Sequence, residues 1–332
     1  MNLFKCTKCG EVLDGFLPFN CACGCEIPVI NGVYQFTGDA PISVDGDGLK
    51  WLGYEHVGAN YEPGYFYGED REVGIGNSDI LADYLGRGKI VLDVGAGLGG
   101  SSISFARAGL YAIAADISQT MLEIAARRAQ AHGTPGDKIV FTRMNGYKLE
   151  LIDHSVDAVW ATDVLHQVDK PELMMDEILR VLKPDGYFLQ HGGSKSLGFS
   201  EEQQAANDLY NGAHKDIEDF YNDLIEKAGW FEPPFRDWDR ADRCVRDHFV
   251  ECMRIEGTGV YSENNRKWPL KMGLHKMKTR ASGSKSLMPD AIHFDAWANT
   301  DAYARSKYGD HYEDITKYLN FEGSVVLLKR KP

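Results

Sequence analysis

The sequence lacks the main features of membrane-spanning, secreted and nucleic-acid-binding proteins. Its 332 residues contain no run of about 18 apolar residues, so no membrane-spanning segment is expected. The first residues, MNLFKCTKCG, have no apolar stretch typical of a secretory signal, which favours a cytoplasmic location. Lys and Arg number 36 against 49 Asp and Glu, for a net charge of −13. Because nucleic-acid binding normally needs a basic surface, this balance argues against nucleic acid as a partner.

Cysteine is scarce over most of the chain and concentrated at its start. Five of the 7 cysteines precede residue 26, the number is odd, and nothing indicates secretion. A disulfide framework is therefore not expected, and clustered thiols in a reducing compartment indicate a metal site. The motif Cys-x-x-Cys-Gly begins at Cys6, and Cys-x-Cys-Gly follows at Cys21.

Four thiolates complete a tetrahedral zinc site, and five compete for these positions. We favour the pairs that are each followed directly by a glycine, with Cys25 as the spare thiol: Cys6, Cys9, Cys21 and Cys23. A pairing of Cys21 with Cys25 is the alternative. The segment is too short to bury a core, so a structural Zn²⁺ would supply its folding free energy.

Residues 1–38 resemble the small zinc ribbon that precedes some methyltransferase domains. The similarity lies in the tail CGCEIPVINGV, where Ile27 replaces an aromatic residue and Val33 replaces an isoleucine. Residues 39–88 are expected to form a linker and a helical, aromatic cover. An aromatic cluster in this linker could cover a bound ligand or pack against the core; its members are Tyr61, Tyr65, Phe66 and Tyr67.

From residue 89 onward, apolar runs alternate with amphipathic segments. Strands are predicted for KIVLDVG, YAIAAD, KIVFTRMN, VDAVWATD and YFLQHG, with helices between most of them. This alternation predicts an α/β fold, a doubly wound, Rossmann-like parallel sheet with helices on both faces.

The glycine-rich stretch VLDVGAGLGG, residues 91–100, matches two nucleotide-binding patterns. One is the dinucleotide fingerprint G-x-G-x-x-G, and the other is D-x-G-x-G-x-G. Both require an acid after the second strand, where Asp116 offers two oxygens to the two ribose hydroxyls and argues against NADP. Asp93 stands where dinucleotide sites usually have an apolar residue, and an acid there suits a ligand that carries positive charge. A segment after the third strand, RMNGYKLEL, looks like one that lines an adenine edge; it contains Asn145 and Gly146.

The stretch VDAVWATDVLHQVDKPELMMDEILRVLKPDGYFLQ resembles the passage from strand four to strand five in class I S-adenosylmethionine-dependent methyltransferases. Val156, Gln167 and Asp185 are mild departures from that pattern. The resemblance covers residues 89–192 well and extends to FYNDLIEKAGWFEPP and SVVLLKRK. It implies the class I fold for residues 89–332, S-adenosylmethionine as methyl donor and S-adenosylhomocysteine as product.

The resemblance also implies positions around the cofactor. The glycine loop would surround the methionine half, and Asp116 would bind the ribose. Asn145 takes the place of the usual aspartate on the adenine amino group, and its amide oxygen can still accept that bond. The remaining implied contacts are Gly95, Ala96, Gly97 and Gly99 in the loop, Ile117 and Met121 beside adenine, and Thr162 near the methionine carbons.

Methyl transfer needs a general base only where the acceptor carries a proton. His166, which follows strand four, is the best candidate, and His191 at the end of strand five is the second. Both can also be structural residues.

A long segment at about 240–318 separates the last elements and is expected to cover the acceptor pocket. Its basic run could attract an anionic acceptor or could be a solvated face; the run comprises Arg266, Lys267, Lys271, Lys276, Lys278 and Arg280. Cys244 and Cys252 at their spacing favour buried structural thiols over a metalloid site.

The leading interpretation is a cytoplasmic methyltransferase that acts on a small molecule. The alternatives are an RNA methyltransferase that uses the ribbon for recognition, and a cofactor-binding partner subunit without turnover. A dehydrogenase is the weakest interpretation. The sequence specifies neither the acceptor, nor the methylated atom, nor the oligomeric state.

Overall fold

The computed structural model describes residues 2–13, 21–37, 55–56, 58, 60, 78–232, 237–257, 266–281 and 285–332, and at position 266 the backbone alone. The aromatic cluster at 61–67, and most of the linker that holds it, lie outside the described residues. Among the described residues, no helix combines the length and apolar character needed to cross a membrane. The cytoplasmic location stays a prediction.

A nine-stranded sheet forms the centre of the described structure, in the order β1-β2-β5-β4-β3-β6-β7-β11-β8. Its strands are β1 (Val29–Ile30), β2 (Val33–Gln35), β3 (Ile90–Val94), β4 (Tyr111–Asp116), β5 (Ile139–Arg143), β6 (Val156–Trp160), β7 (Leu182–Ser196), β8 (Phe249–Glu256) and β11 (Phe321–Arg330). Strands β9 (Arg266–Pro269) and β10 (Thr316–Leu319) form a separate antiparallel pair.

Eight α-helices of at least eight residues accompany these strands in the described part of the chain. They are α1 (Ser78–Leu85), α2 (Gly100–Arg107), α3 (Gln119–Ala131), α4 (Pro171–Val181), α5 (Glu201–Lys227), α6 (Trp238–His248), α7 (Leu270–Thr279) and α8 (Asp290–Tyr308).

The core strands are buried on both faces, which explains their continuous apolar runs. All five residues of β3 are buried, and β3 pairs in parallel with β4 on one side and β6 on the other. The chain moves outward from β3 to β4 and β5, and then returns to β6. The order therefore reverses between β3 and β6, and open α/β sheets bind ligands at the carboxyl ends of the strands around such a point.

The N-terminal segment is part of the sheet. Strand β2 pairs in parallel with β5, so the β1–β2 hairpin extends the sheet beyond its third parallel strand. Phe4 is 1% exposed and stacks on Phe36 with ring centroids 5.1 Å apart. Its backbone forms an isolated antiparallel β-bridge with Leu151. Lys5 forms an ion pair with Asp153 at 2.8 Å. The ribbon segment thus buries an apolar side against the core.

The segment expected at about 240–318 starts later in the structure. Strand β8 belongs to the large sheet, because it pairs with β11, and helix α6 leads directly into it. Phe249, the first residue of β8, stacks on Phe188 with ring centroids 4.8 Å apart. The insertion proper, at about 257–320, contains β9, α7, α8 and β10. It packs on α5 around its own apolar cluster, which includes Tyr210, Tyr221 and Leu274.

Candidate functional site

The glycine loop between β3 and α2 has a backbone that only glycine adopts easily. Gly95, Gly97 and Gly99 have φ angles of 74°, 52° and 74°. A Cβ atom at Gly95 would lie 2.7 Å from Cγ2 of Val164, and one at Gly99 would lie 2.7 Å from Cβ of Ala125. The loop therefore lies close to the residues after β6 and to α3, at the reversal of the strand order. The backbone amides of Gly95 and Ala96 donate to the carbonyl of Ala115 at 2.8 Å and 3.0 Å, which fixes the loop to the end of β4.

Asp116 lies between the glycine loop and the following helix. Its Oδ2 accepts a hydrogen bond from the backbone amide of Gly97, and its Oδ1 accepts one from that of Ser118, both at 2.8 Å. Burial raises the pKa of this carboxyl, and the three backbone amides around it act in the opposite direction. The carboxylate is thus held by the glycine loop on one side and by the start of α3 on the other.

Asp93 is buried beneath the loop. It is 3% exposed, and its Oδ2 accepts a hydrogen bond from the hydroxyl of Ser102 in α2 at 2.6 Å. Burial raises the pKa of Asp93 to about 7, with a further contribution from the charge of Asp116. The hydrogen bond connects the end of β3 to α2, and an ionised Asp93 would act on a cationic ligand through its charge.

The residues predicted beside adenine form part of an apolar patch. Met121 is 8% exposed and packs in a cluster with Leu98, Ile124 and Ala281, so the insertion touches the loop region. Its Sδ atom lies 3.9 Å from the position that a Cβ would take at Gly97. The carbonyl of Ile117 accepts a hydrogen bond from Nε of Arg143 at 3.1 Å.

The segment after β5 has local structural roles in addition to its predicted one. The Oδ1 atom of Asn145 accepts a hydrogen bond from the amide of Tyr147 at 2.9 Å, which closes a turn. An oxygen of this kind has a second lone pair for a ligand. A Cβ at Gly146 would lie 2.4 Å from Cε of Met174, the terminal methyl of a flexible side chain that packs over this glycine.

Thr162, just after β6, lies beside His191, which lies within β7 and not at the strand end that the sequence predicted, because β7 continues to Ser196 in its pairing with β11. Oγ1 of Thr162 accepts a hydrogen bond from the backbone amide of His191 at 3.3 Å. Nδ1 of His191 accepts one from the amide of Gly193 at 3.1 Å, so the neutral ring carries its proton on Nε2. Burial lowers the pKa of His191 and favours this neutral form.

His166 is packed under another ring. Its side chain stacks on Trp238 with centroids 3.4 Å apart and an interplanar angle of 14°, and the residue is 4% exposed. Its carbonyl accepts a hydrogen bond from the amide of Asp237 at 2.9 Å. These contacts account for His166 as a residue that docks α6, and its role as a base stays a prediction.

Sequence reasoning missed a contribution from the linker. The two carboxylate oxygens of Glu55 accept hydrogen bonds from the first amides of α3, from Gln119 at 2.8 Å and from Thr120 at 3.2 Å. His56 bonds to the carbonyl of Thr279 at 3.0 Å, so the same short segment also touches α7 of the insertion. A single Glu in a Gly- and Asp-rich loop gives no signal of such a position.

The four favoured cysteines converge at the N-terminus. The sulfur atoms of Cys6, Cys9, Cys21 and Cys23 all lie within 4.8 Å of one another, with Cys6 to Cys23 at 3.7 Å and Cys9 to Cys21 at 3.4 Å. Zinc–sulfur bonds of about 2.3 Å in a tetrahedron require sulfur atoms about 3.8 Å apart, so the cluster fits Zn²⁺. Cys25 lies outside this group, with its sulfur 3.8 Å from Oγ1 of Thr7.

Parts of the basic run are neutralised within the insertion. Lys278 pairs with Glu313 at 3.4 Å, and Arg280 pairs with Asp290 at 2.6 Å. Cys244 is buried as expected, whereas Cys252 is exposed, so the prediction of a buried thiol is wrong for Cys252. The sulfur of Cys252 donates to the carbonyl of Leu327, because β8 places it beside β11.

Comparison with known proteins identifies the central part of the chain. Residues 92–190 match the family described as "Methyltransferase domain". The five parallel strands β5-β4-β3-β6-β7, with antiparallel β11 between β7 and β8, form the class I arrangement. The predicted doubly wound α/β fold is confirmed, and residues 92–190 resemble a methyltransferase domain.

Individual relatives resemble the same stretch. A demethylmenaquinone methyltransferase from Clavibacter sepedonicus is 39% identical over 99 residues, which are 30% of this chain and 39% of the relative. A ubiquinone/menaquinone biosynthesis C-methyltransferase from Bradyrhizobium sp. (strain BTAi1 / ATCC BAA-1182) is 38% identical over 102 residues, or 30% of this chain and 40% of the relative. The matched part thus spans about two fifths of either relative's length. The crystal structure of the [4+2]-cyclase SpnF has a TM-score of 0.46 at 19% identity, covering 86% of this chain and 97% of that one.

Proposed function

We propose that this protein transfers a methyl group from S-adenosylmethionine to a small-molecule acceptor. The glycine loop carries the proposal, because it bonds through Gly97 to Asp116 at the point where the strand order reverses. The loop backbone and the carboxylate are the groups that the cofactor's methionine half and ribose need. The matched relatives named for demethylmenaquinone and for ubiquinone/menaquinone biosynthesis support a small organic acceptor.

The cofactor supplies a methyl group on a positively charged sulfur, which already makes it a reactive electrophile. The protein therefore has to align the acceptor with the methyl group and exclude water. The carbon–sulfur bond breaks as the acceptor–methyl bond forms, and an acceptor proton leaves to a base or to solvent. Thr162 and His191 lie just beyond the parallel pairing of β6 with β7, on the side of the sheet where an acceptor would approach.

Cofactor binding is tested by calorimetry with S-adenosylhomocysteine, and with NADH as the competing ligand. We expect S-adenosylhomocysteine to bind and NADH not to bind. Gly95→Ala should weaken S-adenosylhomocysteine by more than about tenfold, because its Cβ would meet Val164 at 2.7 Å at a φ of 74°. Gly133→Ala is the matched control, since Gly133 has a φ of 63° and open space around it. Binding of NADH alone would contradict the proposal.

The acceptor class is tested by label transfer. Protein and methyl-labelled S-adenosylmethionine are incubated with cell extract, and the extract is then separated into small metabolites, RNA and protein. We expect label among the small metabolites. Label in RNA would support the RNA methyltransferase instead.

We further propose that Cys6, Cys9, Cys21 and Cys23 hold a structural zinc ion. The convergence of the four sulfur atoms supports this assignment. One zinc per chain in freshly purified protein is the expected result.

Alanine variants of His166 and His191 test whether either residue acts as a general base. A His166→Ala variant with unchanged kcat would remove His166 from the chemistry. A His191→Ala variant that loses activity only for proton-bearing acceptors would assign the role to His191.

A further inference from the structure

A cavity inside the insertion has no part in the cofactor site. It lies between α5, α7 and the β9–β10 pair and has a volume of about 170 Å³. Aromatic, amide and cationic side chains line it, together with the backbone of α7; the lining residues are Tyr210, Asn211, His214, Trp268, Gly273 and Lys317. Met272 completes the wall.

Two helices that line this cavity, α5 and α7, approach each other closely at Gly273. A Cβ there would lie 2.2 Å from the hydroxyl of Tyr210 and 2.9 Å from the ring of His214. The glycine lets α7 approach α5 closely while these two rings keep their positions. His214 bonds to the carbonyl of Gly273 at 3.3 Å, which holds the wall in place.

Lys317 is a cation in this wall without an anionic partner among the described residues. No carboxylate of the described chain lies within ion-pair distance of it, and its amine lies 4.6 Å from the ring centroid of Tyr210. Burial lowers the pKa of Lys317, which reflects the cost of holding its charge there. A cation in such a place is stabilised by an incoming anion.

The other groups around the cavity do not supply that negative charge. Burial raises the pKa of Tyr210 to about 12, so its hydroxyl is neutral. Glu218 faces His214, with the carboxylate 3.8 Å from Nδ1. Trp268 is the cross-strand partner of Lys317, and both residues line the cavity.

We propose that this cavity binds a small planar organic carboxylate. Lys317 would pair with the carboxylate group, and the rings of Trp268 and Tyr210 would contact the flat apolar part. This binding is independent of methyl transfer, so it stands or falls separately from the function proposed above. The basic run did not reveal the site, because Lys317 lies outside that run.

The test uses the full chain and a direct binding measurement. Benzoate and its uncharged analogue benzamide are titrated and followed by ligand-observed NMR. For a ligand of this size we expect benzoate to bind in the millimolar range. The wild type should bind benzamide about tenfold more weakly than benzoate, and the Lys317→Met variant should bind benzoate about tenfold more weakly than the wild type does. This is the loss expected from one charge-assisted contact.

Two further variants separate charge from packing. Lys271→Met, on the exposed side of α7, removes a charge outside the cavity and should leave benzoate affinity unchanged. Trp268→Leu should weaken benzoate and benzamide alike. The proposal is overturned by a wild-type protein that fails to bind benzoate, by equal affinity for benzoate and benzamide, or by a folded Lys317→Met variant with wild-type affinity.

Discussion

The N-terminal ribbon and the late insertion are both additions to one α/β sheet, yet they are stabilised differently. The ribbon is short and has no core of its own, so its residues Phe4, Leu13 and Ile27 join the apolar cluster of the sheet. The insertion has a separate cluster around Tyr221 and Leu274, built on α5. A small addition therefore has to share the core of its host, whereas a larger one can bury a core and enclose a cavity.

The largest expected effect comes from breaking the ribbon. A Cys6→Ser, Cys9→Ser double variant should lose its metal, and the free energy of unfolding of the whole protein should fall by several kcal/mol. The loss should extend to the sheet, because Phe4 and Phe36 are shared with it. Thermal unfolding and zinc content measure the effect. Cys25→Ser is the matched control and should change neither quantity; a wild-type Tm in the double variant would contradict this coupling.

The second prediction concerns the stability of the central sheet and the buried carboxyl of Asp93 at the end of β3. Its pKa of about 7 in the folded protein exceeds the ordinary value of 3.8, so the folded state binds the proton more tightly. The contribution of Asp93 to the free energy of unfolding therefore falls as pH rises from about 4 to 7, and it stays constant above that range. Asp93→Asn should remove this pH dependence, an effect on the order of 4 kcal/mol at pH 8.

Chemical denaturation at several pH values measures the Asp93 effect. The asparagine variant should also bind S-adenosylhomocysteine more weakly at pH 8, because the negative charge under the loop is lost. Ser104→Ala, in the same helix α2, serves as the control, because Ser102 is the serine of α2 that donates to Asp93. Parallel pH profiles for the wild type and Asp93→Asn would refute the assignment.

An intermediate effect is expected at Gly273 in the insertion. Gly273→Ala places a Cβ 2.2 Å from the hydroxyl of Tyr210, so α5 and α7 must separate, at a cost of about 1–3 kcal/mol. Because the insertion has its own core, hydrogen exchange should increase in α5 and α7 and stay unchanged in β3 and β4. Gly212→Ala, on α5 with open space around it, is the control. Equal loss of protection in both regions would show one shared core instead of two.

The smallest effect is expected at Lys317. Burial lowers its pKa in the folded protein, so its charge opposes folding at neutral pH. Lys317→Met should raise the free energy of unfolding by about 1 kcal/mol at pH 7. This gain should shrink as pH rises through the lowered pKa toward the ordinary 10.5, because wild-type Lys317 then loses its charge. Denaturation at pH 7 and pH 10 provides the measurement, with Lys271→Met as the control; a gain that is independent of pH would contradict it.

Much of the site could be predicted from local sequence because its chemistry depends on backbone shape and strand ends. Gly95, Gly97 and Gly99 all have positive φ angles, and Asp116 ends β4 beside them. The four favoured cysteines converge as their glycine spacing indicated. The local pattern could not reveal that Asp93 bonds to Ser102 beneath the loop, nor that the ring of Trp238 covers His166. Both contacts depend on tertiary packing.

The sequence by itself determined the alternating α/β core, the glycine loop with Asp116 and the cluster of thiols. These features follow from hydrophobic periodicity and from residues close together in the chain. Only the tertiary structure decided where the ribbon packs, that α6 and β8 belong to the sheet, and that Lys317 lies with Tyr210 in a cavity. Lys317 and Tyr210 are far apart in the chain, and only the pairing of β10 with β9 and the packing of α5 bring them together.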